Sequence, residues 1–490
     1  MPPKLKTLYA SLPEAFHAKL TPTPVANAQV VALNTALADS LGIDSDWLQS
    51  EGGLATLAGN MVLPGTEPLA QAYAGHQFAN WVPQLGDGRA HLLGEMETPA
   101  GRVMDLQLKG SGRTPFSRGG DGRSSIGPAV REYLASEAMA ALGIPTTRAL
   151  SVISTGEQVM RDRPEPGGVM CRVASSHVRI GTFEYFARNG HGEHVPTLAD
   201  FVIDRHDPDL ADQPDRYRQL FDRVALRTMA LVAHWMSVGF VHGVMNTDNV
   251  TLSGETLDYG PFGFLDTFDP DTAFSYIDRR GRYAWGRQPT IAHWNLARLA
   301  ECLLPLFGDD PNEVLEWANE RLNQIPADFE AAFHPRLCHK IGLNPSTEGA
   351  TLAMNLLQSM ADNEADMTQT FRALSHLNAD ADEKDLEARA QFKDPTSFDG
   401  WVADWRAALQ AEGGDHAERQ VAMQGVNPAF ILRNHLAQRA ADAAVNNLDF
   451  QPLHEMLEVF ARPFEEQPRN AAYQQPPRAD EVVANTFCGT

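Results

Sequence analysis

The sequence has few cysteines, and they are not arranged for a disulfide framework or a metal site. There are four in 490 residues, and they lie far apart without a CxxC pair or a histidine at zinc-ligand spacing. The four are Cys171, Cys302, Cys338 and Cys488. This pattern excludes a small disulfide-rich scaffold and a zinc finger, and it predicts a reduced, cytoplasmic protein.

Basic residues are also scarce relative to acidic ones. The chain has 40 Lys and Arg against 63 Asp and Glu, which gives a formal net charge of -23. Such a charge disfavours nonspecific binding to nucleic acid or to an anionic membrane, so we expect neither as a partner. An anionic substrate would have to bind at a local basic patch.

Long hydrophobic runs are missing as well. The most apolar stretch, 225–245, is interrupted by Arg227, His234 and His242, and we interpret it as a buried helix and not a membrane span. The first residues, MPPKLKTLYASLPEAF, hold no apolar core, so we expect no signal peptide. Because 43% of the residues are hydrophobic, the chain should form a globular protein with more than one domain.

The stretch HGVMNTDNVTLSGETLDYG, residues 242–260, is the richest in chemistry. Kinase catalytic loops have the form HRDxxxxN or HGDxxxxN, followed by a metal-binding DxG. Asn249 occupies the position of the metal-binding Asn, and Asp258 begins the DYG triplet. Val244 stands where the catalytic Asp is expected, and the nearest carboxylate is Asp248. The pattern indicates nucleotide chemistry of an altered kind.

The roles of these side chains follow from their oxygen atoms. Asn249 and Asp258 supply ligands that Mg²⁺ or Mn²⁺ prefers. Asp248 can accept a proton from an attacking hydroxyl, although it could instead cap the turn. We interpret His242 as a structural hydrogen-bonding residue and not as a base.

Two strands and a glycine turn precede a lysine in the first half of the chain. The turn is Gly86-Asp87-Gly88-Arg89, and the segment RVMDLQLK predicts a strand that ends at Lys109. A kinase N-lobe covers its nucleotide with such a hairpin and lysine. Gly86 and Gly88 allow a close approach of phosphate, but a plain hairpin turn would also explain them.

An arginine-containing loop, GSGRTPFSRGGDGRSS, follows Lys109 at 110–125. Arg113, Arg118 and Arg123 make it a candidate phosphate-binding loop in an acidic chain, and a flexible loop without a role is the alternative. The next helix, predicted over 127–142, carries Glu132. This residue either pairs with Lys109, as a kinase αC Glu does, or is an ordinary exposed Glu.

Further strands are predicted at 145–153 and 168–173, and Arg172 and Arg179 lie at or after the second one. They either bind phosphate or form surface salt bridges. A charged, proline-containing stretch at 204–218 predicts a boundary between lobes, and a helix over 219–240 should deliver the chain to His242.

We therefore predict an α+β chain with a protein-kinase-like two-lobe fold. Residues 1–66 form an N-terminal extension with a helix near 28–41, and residues 67–203 form a nucleotide-binding N-lobe. Residues 204–462 form an enlarged helical C-lobe with the catalytic loop and metal site. Residues 463–490, rich in Pro and Gln, are expected to be a mobile tail.

Several motifs together resemble the selenoprotein O family, whose bacterial members are called YdiU. They are AGHQF at 74–78, PQLGDGRA at 83–90, LQLKGSGRTPFSRGGDGRSS at 106–125, and HGVMNTDN with LDYG. The resemblance implies a kinase-like fold that transfers AMP from ATP to Ser, Thr or Tyr hydroxyls of proteins, with the nucleotide bound in reverse and pyrophosphate released. UMP transfer from UTP with Mn²⁺ is also attributed to bacterial members.

The resemblance also implies roles for individual residues. The expected nucleotide-binding residues are Gly86, Gly88, Arg89, Lys109, Asp121, Gly122, Arg172, Arg179 and Asp258. Glu132 would pair with Lys109, Asp248 would accept the proton, and Asn249 and Asp258 would hold Mg²⁺ or Mn²⁺. ATP and acceptor proteins are the expected partners of a monomeric enzyme.

The sequence departs from the family pattern in two places, and two other functions stay open. Ala79 stands where a family glycine is expected, and no cysteine lies between Asp266 and Arg287 to pair with Cys488, so a redox link between them is not expected. A kinase that transfers the γ-phosphate fits HGxxxxxN and DYG, and a catalytically silent pseudokinase scaffold fits Val244. We expect the variants Lys109→Ala and Asp258→Ala to fold, because neither residue is an apolar core residue.

Overall fold

The computed structural model describes residues 2–378, 380, 383, 385–483 and 486. It is a mixed α+β structure with a β-sheet in the N-terminal region and a largely helical C-terminal region. The strands are β1 His17–Lys19, β2 Gln29–Leu33, β3 Leu69–Gln71, β4 Gly75–Gln77, β5 Asn80–Val82, β6 Ala90–Glu97, β7 Val103–Lys109, β8 Ser124–Ser125, β9 Arg148–Met160, β10 Pro164–Ala174, β11 Phe240–Val241 and β12 Gly263–Phe264.

The first α-helix comes after β1 and β2, and the regular elements after β12 are helical. The α-helices are α1 Thr35–Leu41, α2 Ser45–Leu48, α3 Glu51–Leu57, α4 Ile126–Ala141, α5 Ile180–Arg188, α6 Val195–His206, α7 Arg216–Ser237, α8 Gln288–Leu303, α9 Pro311–Lys340, α10 Thr347–Asn363, α11 Met367–Leu374, α12 Asp385–Arg389, α13 Pro395–Glu412, α14 His416–Gln424, α15 Asn434–Asn447 and α16 Gln451–Phe460. In the described part of the chain, no helix has the length and apolarity needed to cross a membrane.

The main sheet is antiparallel, with the strand order β1-β3-β6-β7-β10-β9-β2 and with β8 paired to β10. Successive side chains of β10 point to opposite faces. Met170 packs into the cluster that contains α4, whereas Cys171 packs into the cluster formed with α1, α2 and α3. Because Arg172 lies two residues after Met170, its side chain points toward α4.

The N-terminal residues are part of this sheet. Strands β1 and β2 occupy its two ends, and α1 to α3 cover one of its faces. The helix predicted near 28–41 is wrong in its first half, where β2 pairs with β9. The helix begins only after Asn34, whose side chain accepts a hydrogen bond from Leu37 N at 3.0 Å, because an Asn at this position satisfies a free N–H of the first turn.

The other predicted elements near the site are confirmed, with shifted ends. The strand that ends at Lys109 is β7, the helix that carries Glu132 is α4, and the helix before His242 is α7. After α7, Gly239 has a φ of 74°, and β11 pairs with β12. This pairing brings the segment with His242 beside the segment that follows Asp258.

The C-terminal residues contact the helical region at several points. Pro463 O accepts from Ala429 N at 2.8 Å, and Gln474 O accepts from Arg433 Nε at 3.1 Å. Thr486 forms a parallel β-bridge with Ser275. The predicted mobility of the tail stays a prediction, and Cys488 lies outside the described residues.

Candidate active site

Two cations and two carboxylates form a cluster between α4 and the inner strands β7 and β10 of the sheet. Lys109 Nζ lies 2.6 Å from Glu132 Oε2 and 2.7 Å from Asp258 Oδ1. Arg172 contacts the same two acids, with Nε 3.0 Å from Glu132 Oε1 and Nη2 2.6 Å from Asp258 Oδ1. The alternative of an ordinary exposed Glu132 is excluded, because the side chain is buried.

Each member of the cluster is placed by a regular element or a defined turn. Lys109 ends β7, Glu132 lies on α4, and Arg172 lies on β10 opposite Gln107. Asp258 has a φ of 62°, which costs a non-glycine residue about 1 kcal/mol. We infer that the ion pairs to Lys109 and Arg172 hold Asp258 in this conformation.

Both carboxylates are ionised at neutral pH. Burial alone would raise the pKa of Asp258, but Lys109, Arg172 and Arg179 hold the pKa well below its usual value. For Glu132, burial is likewise outweighed by Arg172 and Lys109, which lower the pKa. The cluster therefore presents ionised carboxylates and cations side by side.

Arg179 connects this cluster to residues 242–260, which we call the catalytic loop after their kinase-like motif. Its Nη1 donates to Asp248 O at 3.1 Å and lies 3.7 Å from Asp258 Oδ2. Its Nη2 lies 3.7 Å from Asp87 Oδ1, and the guanidinium stacks 4.3 Å from the Tyr73 ring centroid. Arg179 and Arg172 are each 2% exposed, so the alternative of surface salt bridges is excluded for both.

Asp248 is buried with one oxygen unused. Its Oδ2 lies 3.4 Å from Gln77 Nε2, whereas Oδ1 has no hydrogen-bond partner among the described residues. A Cβ at residue 75 would lie only 2.6 Å from Oδ1, so Gly75 is required here. Burial raises the pKa of Asp248 to about 6. The carboxylate can accept a proton near neutral pH, which is what a general base requires.

The segment AGHQF holds the catalytic loop, a role that sequence reasoning missed. His76 N donates to Thr247 Oγ1 at 2.7 Å, and Phe78 N donates to Asn246 Oδ1 at 2.9 Å. His76 Nδ1 lies 2.6 Å from Glu184 Oε1, which ties the segment to α5. The motif was visible in the sequence, but its spacing gave no sign of a contact across more than 160 residues.

Tyr73, Asp87 and Gln107 were also missed as parts of the site. Asp87 Oδ2 accepts from Gln107 Nε2 at 3.1 Å and from Gln71 N at 3.1 Å. These hydrogen bonds hold the Asp87 carboxylate in its position opposite Arg179. Asp87 was visible only as the variable residue of a GxG turn, so no sequence signal marked it.

The glycine turn lies where the sequence predicted it, but the structure gives another reason for its glycines. A Cβ at Gly86 would lie 2.3 Å from Phe116 Cγ, and one at Gly88 would lie 2.8 Å from Phe116 O. The absence of side chains at Gly86 and Gly88 therefore leaves room for the loop 110–125 to pack against the turn. Arg89 comes directly before β6, whose first residue, Ala90, is opposite Lys109.

The loop 110–125 closes on itself. Ser111 forms a β-bridge with Arg123, and Gly112 N donates to Gly122 O at 2.9 Å. A Cβ at Gly122 would overlap Gly112 C at 2.2 Å. Asp121 Oδ2 accepts from Arg161 Nη1 at 2.8 Å, so this carboxylate is used to hold the loop.

The three arginines of this loop differ in their contacts. Arg123 donates to Thr23 O at 3.0 Å and to Pro24 O at 2.9 Å, so it fastens the loop to the N-terminal residues. Arg113 and Arg118 are exposed. These two side chains are the ones in the loop that remain accessible to a ligand.

Asn249 and Asp258 carry side-chain oxygens, the atom type that a magnesium-like ion prefers. Asn249 Nδ2 donates to Val244 O at 3.1 Å, which leaves the amide oxygen for a cation. No group of three or more His, Cys, Asp or Glu side chains in the described residues could form a metal cage. Mg²⁺ commonly binds through one or two carboxylates plus substrate phosphates, so Asp258 supplies an oxygen of the required type.

His242 has the structural role that the sequence predicted. The side chain is buried, and Nε2 lies 2.8 Å from Leu257 O. Burial lowers its pKa. His242 therefore fixes the chain just before Asp258 as a neutral imidazole.

Ala79 lies in a strained turn beside Gln77. The hairpin of β4 and β5 has φ values of 49° at Phe78 and 64° at Ala79, a geometry that strongly favours glycine at the second position. We expect Ala79→Gly to increase the free energy of unfolding by about 1 kcal/mol. Urea unfolding measures the change.

A matched control for Ala79→Gly is Ala403→Gly. Ala403 is an exposed residue inside α13, where glycine costs about 1 kcal/mol relative to alanine. The two variants should therefore shift the urea midpoint in opposite directions. A lower midpoint for Ala79→Gly would show that the turn is not strained.

The comparisons with known proteins agree with one another. The family model described as "Protein adenylyltransferase SelO" matches residues 3–461. A "Protein nucleotidyltransferase YdiU" of Alkalilimnicola ehrlichii is 56% identical over 98% of this chain and 98% of its own. Proteins with the same name from Methylorubrum extorquens and Rhodopseudomonas palustris are 53% and 52% identical, again over 98% of each chain.

Proposed function

The chain belongs to the SelO family of protein adenylyltransferases, and from this premise we propose that it transfers AMP from ATP to hydroxyl side chains of other proteins. The observation that carries the proposal is the position of Asp248. Its unpartnered Oδ1 lies in the same site as the Lys109 and Arg172 ion cluster, and Arg179 contacts both. A proton acceptor next to concentrated positive charge is what hydroxyl attack on a phosphate requires.

We propose that the two-lobe arrangement of kinases underlies this site. Residues 67–203 would be the N-lobe and residues 204–462 the C-lobe, with the nucleotide between them. The proposal is supported by the Lys109 to Glu132 pair between a strand and a helix, and by the loop 242–260 on the other side of the cluster. Residues 1–66 would belong to the N-lobe, because they supply both end strands of its sheet, β1 and β2.

The nucleotide would bind against the cationic side chains. Lys109, Arg172 and Arg179 would face the phosphates, because charge-assisted hydrogen bonds to phosphate oxygens are strong. The family resemblance adds Gly86, Gly88, Arg89, Asp121 and Gly122 from the turn and the loop that border Lys109. Asp121 and Gly122 would act by keeping the loop closed, since their contacts are within it and to Arg161.

Asn249 and Asp258 would hold Mg²⁺ or Mn²⁺. A bound divalent ion neutralises phosphate charge and orients the nucleotide for displacement. Arg172 and Lys109 share Asp258 Oδ1, whereas Oδ2 makes the longer 3.7 Å contact with Arg179 Nη1, so Oδ2 is the less engaged oxygen of the carboxylate. The ionised state of Asp258 meets the requirement for a ligand.

The chain's own residues account for the remaining steps. Asp248 would take the proton from the acceptor hydroxyl as the oxygen attacks the α-phosphate. Lys109, Arg172 and Arg179 would stabilise the negative charge of the departing pyrophosphate. Gln77 and Gly75 would keep Asp248 in position from the opposite side.

Label transfer from ATP tests the function and separates it from a kinase and from a scaffold. Label at the α-phosphate should appear on acceptor proteins, and label at the γ-phosphate should not. Transfer from the γ position alone would establish a kinase, and transfer from neither would establish a silent scaffold. The same assay with α-labelled UTP in place of ATP identifies the preferred nucleotide. Repeating it with Mg²⁺ or with Mn²⁺ identifies the metal ion that supports transfer.

A further inference from the structure

An arginine-containing loop projects beside the catalytic loop. Residues 272–285 form a closed loop, because Trp285 N donates to Thr272 O at 3.0 Å and Gly286 N donates to Pro270 O at 2.8 Å. Compact surface loops whose ends meet in this way frequently carry function. We call residues 276–282 the loop tip.

The inner end of this loop is attached to the catalytic loop. Tyr283 is buried, and its hydroxyl donates to Asn246 Oδ1 at 2.5 Å. Asn246 lies two residues before Asp248 and also accepts from Phe78 N. The Phe78 and Tyr283 rings are in edge contact, with centroids 5.1 Å apart. A protein bound at the loop tip would therefore lie next to Asp248.

The loop tip presents large apolar side chains to solvent. Tyr276 is 49% exposed and Ile277 is 63% exposed. Exposed apolar groups beside a charged rim are typical of protein contact surfaces.

The same loop carries arginines without acidic partners. Arg279, Arg280 and Arg282 of the loop, and Arg287 just after it, form no ion pair with any of the residues that the structure describes. The nearby acid Asp278 is used to accept hydrogen bonds from Arg282 N and Tyr283 N, both at 2.8 Å. Arg279 and Arg280 are exposed and Asp278 is buried, so the loop tip itself is locally positive, whereas the segment before the loop exposes Asp269 and Asp271.

Arg282 packs against aromatic rings at the inner end of the loop tip. Its guanidinium lies 4.9 Å from the Trp294 ring centroid and 5.6 Å from that of Tyr283. Its Nε and Nη2 are buried without a hydrogen-bond partner in the described part of the chain. Arginine and tryptophan are the residue types that most often dominate binding at protein interfaces.

We propose that the loop tip, through its exposed Arg279 and Arg280, docks the acceptor protein, and that preferred acceptors carry Asp or Glu close to the modified hydroxyl. This inference rests on the proposed function. The charges are complementary, and an acidic acceptor would otherwise be repelled by the acidic remainder of the enzyme. Ile277, which is 63% exposed, would receive an apolar side chain of the same acceptor.

The experiment begins with the wild-type enzyme, α-labelled ATP and a bacterial protein extract, followed by mapping of the modified residues. Modified hydroxyls should have more Asp and Glu within four residues than unmodified hydroxyls of the same proteins. A mapped site is then made as two peptides, one with its natural acidic residues and one with lysines in their place. The wild type should prefer the acidic peptide by about tenfold or more in kcat/KM.

A double variant that reverses the charge of the loop tip tests the docking surface. Arg279→Glu with Arg280→Glu should raise KM for the acidic peptide about tenfold and favour the lysine peptide, with KM for ATP unchanged. The matched control is Arg102→Glu with Arg469→Glu, at two exposed arginines outside the loop. This control changes the net charge equally and should retain the wild-type preference.

Each other result contradicts the docking surface. Modified sites without excess acidic residues, or an equal loss in both double variants, would overturn it. A raised KM for ATP in place of the peptide would assign the arginines to the nucleotide. Absence of any α-label with the wild type would reject the proposed function itself, which is a different result from loss of the preference.

Discussion

Asp248→Asn should abolish AMP transfer while making the folded protein more stable. An amide cannot accept the hydroxyl proton, and loss of a general base typically lowers kcat by about 10² to 10⁴. Single-turnover transfer from α-labelled ATP measures the loss. For the wild type, kcat/KM should rise with pH through about 6, because burial raises the pKa of Asp248 to about 6 and only the ionised form accepts a proton.

The gain in stability follows from the same pKa. The folded protein favours protonated Asp248, so wild-type stability decreases as pH rises from the unfolded pKa of about 4 to the folded value. The shift corresponds to about 3 kcal/mol above pH 7, and Asp248→Asn avoids this loss. The gain should be full at pH 8 and absent at pH 4, as measured by urea unfolding.

A control and a contradicting result are available for Asp248. Asp404 is exposed on α13, and Asp404→Asn should change neither activity nor the pH dependence of stability. If Asp248→Asn retains transfer, another group accepts the proton. If Asp248→Asn and the wild type have the same free energy of unfolding at pH 8 as well as at pH 4, the pKa of Asp248 is not raised in the folded protein.

Arg172→Ala should be the most destabilising change at the site. Arg172 is 2% exposed and contacts Glu132 and Asp258, so its removal leaves buried carboxylates with fewer cations. Breaking a buried pair costs about 3 to 5 kcal/mol. Urea unfolding at pH 7 measures the loss, and transfer should fall as well because Asp258 loses one of its anchors.

The exposed pair of Lys6 and Glu97 provides the comparison. Their side chains are 2.7 Å apart and 47% and 54% exposed, so Lys6→Ala should cost less than about 1 kcal/mol. Glu132 and Asp258 have lowered pKa values, and their stabilisation is lost as pH falls through those values. The effect of Arg172→Ala should therefore be full at pH 7 and shrink below about pH 4. An effect no larger than that of Lys6→Ala would contradict the buried cluster.

The structure also changes what we expect of Lys109→Ala and Asp258→Ala. The sequence predicted that both variants fold normally, since neither position is apolar. Both side chains are instead partly buried members of the ion cluster, with exposed fractions of 17% for Lys109 and 27% for Asp258. We now expect folded variants with a measurable loss of stability, so an activity assay with either one requires a melting curve beside it.

Much of the site followed from the sequence because its parts are local motifs. The strand that ends at Lys109 has alternating apolar residues, and the helix with Glu132 has an apolar face, so their kinase-like order made the pair that is observed at 2.6 Å one of two alternatives. The motifs at 106–125 and 242–260 identified the family, which the family model and the relatives confirm. Net charge and the absence of apolar runs limited the classes of partner.

Tertiary structure alone decided the contacts between residues that are distant in sequence. The AGHQF segment supports Asp248 from more than 160 residues away, and β2 replaces half of a predicted helix because β9 offers it a partner. Periodicity reports which face of an element is buried, but it does not report what covers that face. The raised pKa of Asp248 and the buried state of Arg172 depend on that covering, so they could be read only from the folded chain.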